Sequence, residues 1–292
     1  MSEKNSQIND DQNTNGEFSR HWLLVLVCAV GIGIGVSSLP FYTQGLFIEA
    51  WIAGFGWTRA QASFGILGST LALAAVLPFI GLIVDRYGLV KPILISLLGL
   101  SIAYVMLGLF VQSITTFVIL AMLQAVLGSA SSPLAYTRAI NSVFDRQRGL
   151  ALGIALSGAG VAATFGPVLI SDAIAAFGWR GAYFAMALFT AVVGVVIVVV
   201  LSRLKGAKTP VNIDPDAASK DFKMAKASRT YWTIMAAIFC LSLGLGGLMI
   251  HFVPILLEMD FTTSTAAKIA GVIGIAVVLG RLLVGFAVDR IF

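Results

Sequence analysis

Two short charged motifs are the clearest candidates for function in this sequence. Residues 81–88 read GLIVDRYG and residues 285–292 read GFAVDRIF, so each motif places Asp-Arg shortly after a glycine, 204 positions apart. A carboxylate at the end of an apolar helix accepts hydrogen bonds from helix N-termini and pairs with basic side chains. The recurrence predicts a duplicated structure, and its motif residues are Gly81, Asp85, Arg86, Gly88, Gly285, Asp289 and Arg290.

Arg281 is a charge inside an apolar run, AVVLGRLLVGFAV (276–288). A charge within a membrane span costs at least about 2.5–3.5 kcal/mol, so such a side chain faces a partner or a wet cavity. Because a guanidinium matches a carboxylate with two parallel hydrogen bonds, we predict that Arg281 binds an anionic substrate. The alternative is that Arg281 extends to the inner membrane surface, about 10 Å away.

A few other polar side chains lie within apolar runs and are predicted to line a substrate pocket: Tyr42, Gln44, Gln124 and His251. His251 also lies near the outer end of its run, where contact with water is an equally good interpretation. The two histidines and two cysteines show no metal-ligand spacing, so the sequence predicts no metal and no cofactor.

The composition is that of a protein embedded in lipid. Of the 292 residues, 58% are hydrophobic and 11% are charged, whereas soluble domains carry about 25% charged residues. Apolar runs long enough to cross about 30 Å of hydrocarbon follow one another along the chain. Within lipid every backbone polar group must be paired, so these runs predict helices. The eight predicted spans are residues 22–48, 61–83, 91–111, 115–136, 149–175, 181–202, 231–257 and 266–288.

The basic residues predict the orientation of these spans. With the N-terminus inside, 15 of the 19 Lys and Arg fall in inside segments, and Arg59, Arg180 and Lys268 fall outside. This distribution follows the positive-inside rule and argues against nucleic acid as a partner. The predicted location is the bacterial inner membrane, with a cytoplasmic N-terminus and the lipid bilayer as surroundings.

The chain divides at one long polar connection, residues 203–230. We predict a disordered cytoplasmic tail at 1–20, a six-helix bundle at 21–202, a cytoplasmic linker at 203–230 and a partial second bundle at 231–292. Two halves in one orientation, each with the motif after its second helix, are typical of the parallel repeat of secondary transporters.

Several stretches resemble the major facilitator superfamily. PFIGLIVDRYG (78–88) is similar to the loop between its helices 2 and 3, and GRLLVGFAVDR (280–290) to the loop between helices 8 and 9. FGWRGAYF (177–184) and HFVPILLEMDFTTSTAA (251–267), among others, resemble the monocarboxylate-porter and oxalate/formate-antiporter branch.

The resemblance implies an all-α polytopic membrane protein with twelve helices. The expected fold here is a complete N-terminal six-helix bundle plus the first two helices of the C-terminal bundle, so the chain is expected to be truncated after helix 8. It also implies that the Asp85 motif gates the transport pathway by pairing across the seam between the halves, and that Arg281 contacts a substrate carboxylate. A plain anchor for a cytoplasmic turn is the alternative for Asp85 and Arg86.

Two positions depart from the branch. Some porters carry an aspartate where this chain has Val277, and a lysine near Tyr42 that this chain lacks. The coupling partner, a proton or a counter-anion, is therefore left open.

Three functions were weighed. The first is secondary transport of a small mono- or dicarboxylate by alternating access. The second is a truncated, non-transporting membrane protein or partner subunit. The third, an intramembrane enzyme, would need paired acids, a Ser/His couple or metal ligands within the spans, and the sequence shows no such group.

Overall fold

The computed structural model describes residues 2–204 and 224–291, with side chains from Glu17 onward except that of Ile250. Within these ranges the regular elements are all helical. They are α1 (Ser2–Ile34), α2 (Leu39–Phe55), α3 (Arg59–Tyr87), α4 (Val90–Phe110), α5 (Ile114–Leu127), a 3₁₀ turn (Ser129–Ser131), α6 (Pro133–Asn141), α7 (Arg148–Arg203), α8 (Arg229–Glu258), α9 (Thr263–Ile291) and a short turn of helix over residues 224–227.

Six helical stretches in the described part of the chain are long and apolar enough to cross a membrane. The eight predicted spans are helical in the structure, with three differences. The first, residues 22–48, is divided between α1 and α2. The fourth, residues 115–136, is divided between the shorter helices α5 and α6, and the fifth and sixth form the single element α7. Gly178 interrupts α7 with φ 70° and ψ 171°, a conformation that favours glycine, so two spans meet there. The all-helical membrane fold is as predicted.

Helix α1 begins at Ser2, within the segment predicted to be a disordered tail. That segment contains no proline and one glycine, so nothing in it interrupts a helix continued from the apolar residues that follow. Most of the predicted linker at 203–230 lies outside the described residues.

The first and fourth predicted spans are each interrupted, and hydrogen bonds join the two interruptions. The chain leaves helical geometry at residues 35–38 and again around residues 128–132. The Val36 N–H donates to Ser131 Oγ at 3.1 Å, and Ser131 Oγ donates to the Gly128 carbonyl at 2.6 Å. Because the Ser131 N–H also donates to Ser96 Oγ at 3.0 Å, α4 holds the same point. The freed backbone groups are thus partly satisfied inside the bundle.

The apolar core forms two clusters, one toward each end of the bundle. The cluster at the predicted outer end is aromatic: the Phe47 and Tyr183 rings stack at 4.4 Å, and Trp51 lies 4.3 Å from Phe117. Val253 and Leu256 of α8 are buried in this same cluster. Helix α8 is therefore anchored to the first six spans at its outer end, whereas residues 232–245 along its length are exposed.

Helices α7 and α9 approach closely along a seam of glycines. A methyl group added at Gly153 would lie 2.7 Å from the Arg281 carbonyl, and one added at Gly285 would lie 2.5 Å from the Gly149 carbonyl. A methyl group at Gly160 would lie 2.9 Å from the Gly274 carbonyl. Small residues permit this backbone contact between membrane helices, and the seam joins the first six spans to the last two.

Candidate functional site

The first motif binds within its own half of the protein. Asp85, at the end of α3, forms an ion pair with Arg138 of α6, whose Nη1 also donates to the Gly81 carbonyl at 2.9 Å. The expected partner lay across the seam, and Arg138 was expected only to be one of the inside basic residues that set the orientation of the spans. The structure instead joins neighbouring helices of one bundle. Arg86 lies over the Tyr87 ring, 5.5 Å from its centroid, and Gly88 has φ 73°.

The second motif crosses the seam. The N–H groups of Gly149 and Leu150, in the first turn of α7, donate to the two carboxylate oxygens of Asp289 at 2.6 and 2.7 Å. Residue Gln147, at the N-cap of α7, provides no side-chain cap, so Asp289 of α9 fills that position. The negative charge also complements the helix dipole at this end. Arg290 packs over the Phe286 ring at 4.5 Å.

Glu17 supports the same end of α7, and the sequence analysis missed it. Its carboxylate accepts hydrogen bonds from the N–H of Asp145 at 2.8 Å and of Gln147 at 3.3 Å. The loop before α7 is therefore held by a carboxylate from α1, and the first turn of α7 by one from α9. A carboxylate that accepts from main-chain N–H groups has no particular partner residue type, so no motif in the sequence predicts such a contact.

Arg281 lies on the seam, partly buried, and its Nη1 donates to the carbonyl of Leu156 on α7. The phenol of Tyr42 on α2 lies within electrostatic reach of its guanidinium. Arg281, the charge predicted within a span, thus has the Leu156 carbonyl as its main-chain acceptor and Tyr42 as a nearby side chain. Val277, one turn earlier on α9, faces the cavity described next.

A large cavity of about 990 Å³ lies between the first six spans and the last two. It is bounded by α2 and α3 on one side and by α8 and α9 on the other. Its polar wall residues are Tyr42, Ser63, Thr70, Ser242 and His251, and the remainder of its wall is glycine or apolar. Tyr42 and His251 therefore line this cavity, as their predicted role requires.

Gln44 and Gln124 line a second, smaller cavity of about 240 Å³ within the first bundle. Ser37, Ser69 and Thr70 add hydroxyl groups to it. The two cavities share Phe41, Ile66 and Thr70, so they meet at the wall formed by α2 and α3. The three hydroxyl residues were not singled out by the sequence, because isolated Ser and Thr are common in membrane helices.

Arg59 joins two carboxylates at the predicted outer end. Its Nη2 lies 3.1 Å from an oxygen of Glu49 on α2, and its Nη1 pairs with Glu258 at the end of α8. Glu258 belongs to the second half, so this ion pair crosses between the halves opposite the contact of Asp289. The sequence predicted for Arg59 only that it lies in an outside segment, and no ion pair was expected.

Comparison with known proteins identifies the family through one family model. The family model described as Major Facilitator Superfamily matches residues 30–292. "Multidrug resistance protein MdtG" of Proteus mirabilis (strain HI4320) is 28% identical over 276 residues, which cover 92% of this chain and 66% of that protein. Among solved structures, a crystal structure of the peptide transporter POT (E310Q mutant) in complex with alafosfalin is similar in fold. Its TM-score is 0.51 at 14% identity, covering 76% of this chain and 45% of that one.

This chain therefore spans just under two thirds of the length of the curated relative and less than half of the solved structure. The expected truncation after helix 8 and the monocarboxylate branch stay predictions.

Proposed function

Because the chain belongs to the Major Facilitator Superfamily of membrane transporters, we propose that it carries a small organic anion, a mono- or dicarboxylate, by alternating access. The branch resemblance of residues 177–184 and 251–267 supports this substrate class. The proposed membrane is the bacterial inner membrane with the N-terminus in the cytoplasm, which the distribution of Lys and Arg supports.

The observation that carries the substrate class is that Arg281 lies one turn from Val277 in the wall of the large cavity and interacts electrostatically with Tyr42, another residue of that wall. A guanidinium has five N–H donors, and the bond to the Leu156 carbonyl uses one nitrogen. Tyr42 lies both near this guanidinium and in the cavity wall. A carboxylate bound there would meet a fixed cation and a phenol, while the apolar remainder of the wall would accept a hydrocarbon body.

The coupling ion is proposed to be either a proton or a counter-anion. Among the described residues, the cavity wall contains no Asp or Glu, and Val277 stands where some porters carry an aspartate. His251 is therefore the wall residue to test for proton coupling, since an imidazole ring can both accept and donate a proton. If His251→Gln leaves uptake equally responsive to a pH gradient, exchange against a counter-anion becomes the favoured coupling.

The test of this proposal is uptake by the purified protein in liposomes. Radiolabelled lactate, benzoate and oxalate represent a short monocarboxylate, an apolar monocarboxylate and a dicarboxylate. We expect saturable uptake of at least one of them, with inhibition by its unlabelled form and no inhibition by the matching amide. Absence of uptake of all three, with or without an imposed pH gradient or internal counter-anion, would contradict the organic-anion assignment.

Export of amphiphilic compounds is the second candidate function. The wall of the large cavity is mainly apolar, and the relative in Proteus mirabilis is named a multidrug resistance protein. The discriminating measurement is efflux of a cationic dye such as ethidium from cells that express the protein. Dye efflux that is unaffected by Arg281→Ala would favour this function over anion transport.

A further inference from the structure

Arg59 forms ion pairs with carboxylates from both halves of the protein. Glu49 lies on α2, in the same half as Arg59, and Glu258 ends α8 in the other half. The side chains of Arg59, Glu49 and Glu258 are 36%, 35% and 59% exposed. The three side chains are therefore in contact with water, so their ion pairs can break and reform without leaving an unpaired charge buried.

The position of Arg59 is set by a rigid turn. Gly56 ends α2 with φ 68°, and its N–H donates to the Ile52 carbonyl at 2.9 Å. Thr58 and Gln61 then form a capping box, in which each side chain accepts a hydrogen bond from the main-chain N–H of the other. Arg59 is the first residue of α3, directly after this cap, so its side chain starts from a fixed point.

The ion pair lies near one end of the large cavity. Val253 and Leu256 of α8 are buried against the aromatic cluster around Trp51 on α2. Ser63, one turn from Arg59 on α3, and His251, two turns from Glu258 on α8, line the cavity. Opening this end of the cavity requires α8 to move away from α2, and that movement breaks the contact between Arg59 and Glu258.

We infer that Arg59 is the switch of an outer gate, with Glu258 as its partner in the closed state and Glu49 as the partner it keeps when the gate opens. Glu49 moves with Arg59 because the two belong to the same bundle. The guanidinium is then paired in both states, which keeps the two states close in free energy. An exposed ion pair changes such an equilibrium by at most about five-fold, enough to set a gate without locking it.

In this arrangement Glu258→Gln and Glu49→Gln, each of which removes one negative charge, shift the populations of the open and closed states in opposite directions. Glu258→Gln removes the contact that exists only in the closed state, so the open state gains population. Glu49→Gln removes the partner that Arg59 would keep in the open state, so Arg59 is paired only in the closed state and the closed state gains population. A purely structural ion cluster would lose stability with either substitution and would not reverse the direction.

The test measures access to the large cavity from the predicted outer side. A single cysteine is placed at Thr70, in the cavity wall, in a Cys28→Ala, Cys240→Ser background, and is labelled with a membrane-impermeant maleimide. Right-side-out and inside-out vesicles are compared, and the total thiol is determined in detergent for normalisation. We expect Glu258→Gln to raise the outer labelling rate about two- to five-fold and Glu49→Gln to lower it about two-fold.

Two controls accompany this test. Asp260→Asn removes an exposed charge from the turn after α8, and Asp260 has no ion pair with Arg59 in the described structure, so the labelling rate should stay unchanged. Arg59→Gln should raise the rate, and adding Glu258→Gln to it should change nothing further, because the shared contact is already absent. Shifts of Glu49→Gln and Glu258→Gln in the same direction, or no shift in either, would overturn the gate. The readout uses no substrate, so it is independent of the anion assignment.

Discussion

Asp289 Oδ1 lies 2.6 Å from the main-chain nitrogen of Gly149, and this contact connects the last described helix to the start of α7. Its counterpart in the first half, Asp85, contacts an arginine side chain instead. The duplicated motif therefore has two different partners. The first copy joins two helices of one bundle, and the second joins the two halves at the predicted inner end.

Loss of the Asp289 cap should open the inner end of the seam. Asp289→Ala removes two charge-assisted hydrogen bonds from the first turn of α7, and caps of this kind contribute about 1 kcal/mol. That energy corresponds to about a five-fold change in the ratio of inner-open to inner-closed protein. We expect faster labelling of the Thr70→Cys cavity probe in inside-out vesicles.

Gly149→Ala provides an independent form of the same test. A methyl group at this position would lie 2.5 Å from Asp289 Oδ1 and 2.6 Å from the Gly285 carbonyl, so the contact is pushed apart while the carboxylate remains. Asp145→Asn is the control, because Asp145 is exposed and pairs only with the nearby Arg148 at 3.5 Å among the described residues. Unchanged inner labelling in both Asp289→Ala and Gly149→Ala would show that the cap does not hold the gate.

The pair of Asp85 and Arg138 should contribute to both stability and turnover. Asp85→Asn and Arg138→Gln each leave a partly buried polar partner, and a hydrogen bond to a charged group contributes about 1.5–3 kcal/mol. We expect each variant to lower the free energy of unfolding in detergent by about that amount and to slow transport more than it weakens substrate binding. The double variant should lose clearly less than the sum of the two. Additive losses would mean that the two side chains act separately.

The α7–α9 seam offers a matched pair of glycines. A methyl group at Gly274 would overlap the main chain and the hydroxyl of Thr164, whereas one at Gly280 meets nothing within 4 Å in the described structure. Gly274→Ala should therefore separate the helices and cost about 1–3 kcal/mol in the free energy of unfolding. Gly280→Ala should be neutral or stabilising by about 0.5–1 kcal/mol, since alanine favours a helix interior. Equal thermal stability of the two variants in detergent would contradict this packing.

The sequence predicted the parts of this fold that depend on local composition. Apolar run lengths located the spans, and the small residues and Pro40 in the first run agree with the break at residues 35–38. Tyr42 and His251 line the large cavity, and a polar side chain within an apolar helix seldom faces lipid, whereas their role in substrate binding stays a prediction.

The contacts of the site could not be predicted in the same way. Arg138 lies 53 residues from Asp85 and Glu258 lies 199 residues from Arg59, so both pairs depend on how helices rotate and pack. Gln44 was grouped with Tyr42, yet the two residues line different cavities, since positions two apart on a helix face about 200° apart. The carboxylates of Asp289 and Glu17 accept hydrogen bonds from main-chain N–H groups, and these donors carry no sequence signature.

Arg281 is the residue on which the proposed substrate depends. Arg281→Ala removes the cation that donates to the Leu156 carbonyl and interacts electrostatically with Tyr42, so uptake of an anionic substrate should fall to the background of empty liposomes. Insertion should persist, since alanine within a span is less costly than arginine. Arg281→Lys keeps the charge but loses the planar fork, and we expect at least about a ten-fold loss of uptake at low substrate concentration.

The control and the binding measurement separate a substrate contact from a seam contact. Arg203→Ala removes an exposed arginine at the end of α7 and should leave uptake unchanged. If Arg281 only ties α9 to α7, its variants will transport slowly but bind the anion with normal affinity. If Arg281 binds the carboxylate, the dissociation constant rises for the anion and not for its neutral amide. Arg281→Ala protein that retains both normal anion affinity and normal uptake would rule out either role.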